Sequence, residues 1–81
     1  MNKVTAGKAM REAMAVSGMK QKDMAEKLEI NQASVSSNLN RKKVGADVLI
    51  MMMNSMGFSV VVGKKDGEKF VPMWELEKDT E

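Results

Sequence analysis

Ser34, Ser36 and Ser37 lie close enough in sequence to share one helix, but no His and no obvious buried base is there to activate a hydroxyl. The chain contains no His and no Cys. That excludes His-based triads, thiol nucleophiles, disulfides and the common zinc-ligand sets together. No catalytic residue, no metal and no cofactor is therefore expected, and the chain does not read as an enzyme. A cysteine-free chain also suits a reducing compartment, so a cytoplasmic protein is expected. The chemistry on offer is cationic instead. Residues 1–45 carry nine Lys or Arg (Lys3, Lys8, Arg11, Lys20, Lys22, Lys27, Arg41, Lys42, Lys43) against four acids, whereas residues 46–81 carry four Lys against seven acids. A net charge of +5 followed by −3 points the first part at a polyanionic partner.

The elements that position these cations can be read from spacing. A chain of 81 residues is one small domain with a marginal core, and such domains commonly lean on a partner subunit. The opening stretch from Met1 to Lys8 has no apolar run of the kind a secretory leader needs. The longest apolar run, Val48 to Met53, is six residues, too short to span a bilayer, so no membrane contact is expected. Ala9, Met10, Ala13 and Met14 form one stripe of a helix running to Ser17, with Gly18 as its left-handed stop. A second helix fits Gln21 to Leu28, with Met24, Ala25 and Leu28 inward. Asn31 is a good N-cap for a third, from Gln32 to Asn40, with Val35 and Leu39 inward.

The fourth helix opens at Gly45, flanked by Val44 and Leu49 in the positions of a hydrophobic staple, and stops at Gly57. Val48, Leu49, Met52, Met53 and Met56 form its inward stripe. Ile50 and Met51 are apolar as well, so the helix is greasy on more than one side. After it, Phe58-Ser59-Val60-Val61-Val62 is rich in strand formers and Asp66-Gly67 signals a type I′ turn. With those two residues at the turn, Val62 faces Val71 and Val60 faces Met73. Phe58, Val60, Val62, Val71 and Met73 then share one face, with Val61, Phe70 and Trp74 on the other. Pro72 belongs on an edge strand. A two-stranded hairpin is marginal alone, so it is expected to pack on the fourth helix and on its counterpart in a dimer. The dimer interface is accordingly expected from Ile50, Met51, Phe58, Val60, Val61, Val62, Phe70, Met73 and Trp74.

Two short helices joined by a turn of three or four residues are the spacing of a helix-turn-helix. Gln21, Met24-Ala25, Leu28 and Gln32, within the stretch from Met19 to Ser36, make the sequence resemble the phage repressor and Cro type, the XRE family of helix-turn-helix transcriptional regulators. The likeness extends over roughly residues 5–62, where Asn54-Ser55-Met56-Gly57-Phe58 resembles small members that append a strand to the last helix. Three positions depart from the pattern. Glu29 stands where Gly is usual in the turn, Lys20 where a Ser or Thr cap is usual, and Asn38 at a position that is commonly apolar, with Leu39 next to it.

The resemblance implies a mainly α fold, a four-helix lambda-repressor-like domain with a C-terminal dimerisation hairpin. Residues 1–57 hold the helices, with the helix-turn-helix over 21–40, 58–74 the hairpin, and 75–81 an acidic tail expected to fray. It also implies that the third helix enters the DNA major groove, with Gln32, Ala33, Ser36, Ser37 and Asn40 at base edges. Their chemistry agrees, since Gln pairs bidentately with adenine, Ser donates or accepts, and an Ala methyl meets a thymine methyl. Lys20, Gln21, Arg41, Lys42 and Lys43 would hold phosphates on either side. The function so implied is a sequence-specific double-stranded DNA-binding repressor, acting as a homodimer on a palindromic operator. The alternatives are an antitoxin-type regulator that binds a toxin, and a phage inhibitor that turns the same fold on a protein. No small-molecule ligand is evident, because so short a chain has no second domain to hold one.

Overall fold

A computed structural model describes residues 3–79; Met1 and Asn2 of the opening stretch, and Thr80 and Glu81 of the acidic tail, lie outside the described residues. Four helices and a hairpin follow in order, and each helix end has a local cause. The first helix, α1 (Ala6–Ser17), starts where Thr5 Oγ1 accepts from the Lys8 amide at 3.2 Å. It stops at Gly18, whose φ of 72° turns its N–H back to Met14 O. For α2 (Gln21–Leu28), a Lys at the cap position has no acceptor to offer, and the Asp23 carboxylate instead accepts from the Lys20 amide at 3.2 Å. That is the reciprocal half of a capping box. The helix ends at Glu29, held left-handed at φ 58° and ψ 40°. Ile30 N donates to Ala25 O at 3.0 Å and Glu29 N to Glu26 O at 3.3 Å, the pair of bonds that defines a Schellman stop.

The third helix, α3 (Gln32–Asn40), is capped by Asn31, whose Oδ1 accepts from Ser34 N at 2.7 Å. The fourth, α4 (Ala46–Ser55), follows the Gly45 cap, with the expected staple residues Val44 and Leu49 half-buried against the core. It closes at Gly57 through a second Schellman pair, Phe58 N to Met53 O at 2.9 Å and Gly57 N to Asn54 O at 3.0 Å.

All four helices feed one core. Met10, Met24, Val35 and Met52 are fully buried, and Ala13, Ala25, Leu39 and Met56 complete the cluster. Each large apolar side chain removed from water contributes roughly 1.5–3 kcal/mol, and unbranched Met fills gaps that a stiffer residue would leave open. Ala25 is small where α2 meets α3. Leu39 takes the buried place while Asn38 stays half-exposed. Two long cations tie the helices end to end: Lys27 Nζ donates to Ser55 O at 2.9 Å, and Arg11 Nη1 to Leu39 O at 2.7 Å.

Two expectations are corrected here. Ile50 is only 3% exposed and is a buried residue of the single chain, not a free interface residue; Met51 beside it is half-buried. In the described part of the acidic tail, Asp79 N donates to Asp47 Oδ1 of α4 at 3.3 Å, and both residues are exposed.

The hairpin is the second correction. Its strands are β1 (Val61–Asp66) and β2 (Lys69–Glu75), and Asp66 pairs with Lys69, so the turn residues are Gly67 and Glu68 rather than Asp66 and Gly67. Gly67 has φ 64° and Glu68 has no positive φ, the signs of a type II′ turn. The pairing runs Lys65 with Phe70, Lys64 with Val71 and Gly63 with Pro72, then jumps to Val62 with Trp74. Met73 is the extra residue of a bulge. Val62 therefore faces Trp74 rather than Val71, and Val60 accepts from Leu76 N at 2.8 Å rather than facing Met73. Val62, Val71 and Trp74 share one face, Val61, Phe70 and Pro72 the other, and Phe58 lies outside both strands. Nor does the hairpin lie on α4; its extensive packing is strand against strand only.

Candidate nucleic-acid interface

Because Val35 and Leu39 anchor α3 to the core, the helix has no choice about which side it shows. Gln32, Ala33, Ser37 and Asn40 are exposed and Ser36 is half-buried beside them. The helix carries no charged residue at all. Its polar groups are neutral donors and acceptors, suited to reading hydrogen-bond patterns, and its single exposed methyl belongs to Ala33. Asn40 is partly occupied already, since its Nδ2 donates to Ser36 O of the same helix at 2.8 Å.

Exposed cations stand at the ends of α2 and α3. Lys20 is exposed at the head of α2 with half-buried Gln21 as that helix's first residue, and Arg41, Lys42 and Lys43 are exposed directly after α3. Two open hollows flank α3. One, of about 350 Å³, is edged by Asn31, Ser37, Asn38 and Arg41. The other, of about 430 Å³, brings Gln21 and Asn40 to one rim although they belong to different helices.

That second hollow also contains a residue missed at the sequence level. Arg11 of α1 lines it, lying outside the stripe of Ala9, Met10, Ala13 and Met14. A signal was available in Gly7 one turn earlier. It is buried, and a Cβ there would stand 3.3 Å from Arg11 Nη1 and 3.4 Å from Arg41 O. The bare glycine makes room for the guanidinium to reach the end of α3.

Of the residues expected to bury against a partner, Phe58, Val61, Val62, Phe70, Met73 and Trp74 are exposed, Trp74 by 63%. Val60 and Met51 are half-buried. Among the described residues no group of three His, Cys, Asp or Glu stands close enough to hold a metal ion, and no helix is long and apolar enough to cross a membrane. Compared with protein-family models, with curated proteins and with solved structures, the chain matches none.

Proposed function

We propose that this chain is a cytoplasmic helix-turn-helix repressor of the phage repressor and Cro type, which binds double-stranded DNA sequence-specifically as a homodimer. One observation carries the reading: an uncharged α3 face of exposed Gln32, Ala33, Ser37 and Asn40 with half-buried Ser36 beside them, followed directly by Arg41 to Lys43 and with Lys20 and Gln21 at the head of α2. Neutral amides and hydroxyls discriminate base edges in the major groove, and flanking cations fix register on phosphates without reading sequence. The exposed apolar side chains of the hairpin supply the dimer contact. A two-fold axis then sets the two recognition helices about 34 Å apart, one turn of DNA, on a palindromic site.

The test is fluorescence anisotropy across a salt series, with a duplex from the region upstream of the chain's own gene and a scrambled duplex. Tight binding to the first, lost in a Gln32→Ala/Arg41→Ala double variant, is the expected result. Equal, weak binding to both duplexes that vanishes with salt refutes the reading. Light scattering that finds a 9.0 kDa species at micromolar concentration refutes the dimer.

The exposed hairpin favours a second reading, in which it clamps a different protein, as an antitoxin clamps its toxin. In that case Phe70→Ser and Trp74→Ser abolish activity while Arg41→Ala leaves it intact.

A further inference from the structure

We propose that the hollow between α1, the head of α2 and the end of α3 is a cradle for one DNA backbone phosphate, with Arg11 as its cation. The inference rests on the DNA-binding reading and adds to it a contact from outside the helix-turn-helix.

Arg11 is oriented, not loose. Its Nη1 donates to Leu39 O at 2.7 Å, at the carboxyl end of α3 where the helix dipole favours a cation. A guanidinium has five donors in a rigid fork, so anchoring one leaves a planar set free for a second acceptor. Gly7 beneath it removes the side chain that would crowd that pose. The hollow it lines has an apolar wall in Met14, Met19 and Leu39, with Gln21 and Asn40 at the rim. An apolar wall lowers the local dielectric and strengthens attraction for an anion. Among the described residues that line it, none is acidic. Gln21 adds a side-chain amide donor at the first position of α2. A backbone phosphodiester fits this set: a forked cation, an amide donor and, among the described lining residues, no competing carboxylate.

The test compares Arg11→Gln with Lys69→Gln, a charge removed from the hairpin, in the same anisotropy salt series on the upstream and scrambled duplexes. Gln deletes the charge and keeps a polar amide, which ends two bonds short of the Arg11 Nη1 that meets Leu39 O. Arg11→Gln is expected to bind both duplexes about tenfold more weakly, without changing their ratio. Its plot of log affinity against log salt becomes shallower by about 0.9 for each subunit bound. Lys69→Gln keeps the wild-type slope. An Arg11→Gln slope equal to that of wild type or of Lys69→Gln overturns the cradle and leaves the DNA reading standing. A loss confined to the upstream duplex also overturns it, because a phosphate contact carries no sequence information. Wild-type protein that binds neither duplex overturns both proposals together. If Arg11→Gln does not fold, Arg11→Lys decides: it keeps the charge and a three-donor ammonium but not the planar fork, so severalfold weaker binding to both duplexes supports the cradle and wild-type affinity overturns it.

Discussion

Replacing Glu29 by Gly is expected to stabilise the domain. Glu29 sits at φ 58° and ψ 40°, the one non-glycine residue with positive φ among those described. A left-handed backbone costs a residue with a Cβ roughly 1–2 kcal/mol. Glycine removes that strain but loses about 0.4–1 kcal/mol to its freer unfolded chain. The net gain is about 0.5–1 kcal/mol. In a domain of this size, 1 kcal/mol moves the thermal midpoint by roughly 4–8 °C, so Glu29→Gly should raise it by about 2–8 °C. Both bonds of the Schellman stop are backbone to backbone and survive the change. Glu29→Ala is the control, because it deletes the carboxylate yet keeps the Cβ, and its midpoint should stay near wild type. Far-UV circular dichroism melts read both, with urea midpoints at constant m-value as a cross-check. A Glu29→Gly midpoint at or below that of Glu29→Ala refutes the strain argument and with it the left-handed turn between α2 and α3.

Asn31→Ala leaves the Ser34 amide without its 2.7 Å acceptor and should destabilise the domain by about 1 kcal/mol, whereas Asn31→Asp stays within a few tenths, both read from urea midpoints. Equal midpoints for the two variants would show that the cap bond is not what starts α3. Gly63→Ala sets a Cβ 2.6 Å from Val71 O and closer still to the Phe70 ring, so it should spread the hairpin while leaving the helical dichroism unchanged. Loss of β1 and β2 cross-strand contacts in NMR with α1–α4 intact is the expected result, and loss of the helices as well would contradict it.

The helices were legible because their signals are local. Thr5, Asn31 and Gly45 at the starts, and Gly18 and Gly57 at the ends, act within a few residues of themselves, and α2 and α3 fall where their spacing placed them. The third-helix face followed directly, since fixing Val35 and Leu39 inward decides every other residue of α3. The hairpin was less legible. Asp66-Gly67 fits a turn with glycine second, but the chain uses Gly67 first, and the bulge at Met73 breaks the alternation from which faces are inferred. The anchoring of Arg11 was invisible for another reason. It depends on the carbonyl of Leu39, 28 positions away in sequence, and no local period encodes such a meeting.

The separateness of the hairpin has a consequence for how the molecule breathes. Its ladder is not braced by extensive packing on a helix, so β1 and β2 can open without the cost of disrupting the methionine core. Their amides should exchange with deuterium through this local opening, while those beside Met10, Met24 and Met52 wait for global unfolding. The same contrast makes the hairpin a built-in gauge of association. Whatever covers Val62, Val71 and Trp74 slows exchange in the two strands first, and if the cover is a second copy, that protection rises with protein concentration.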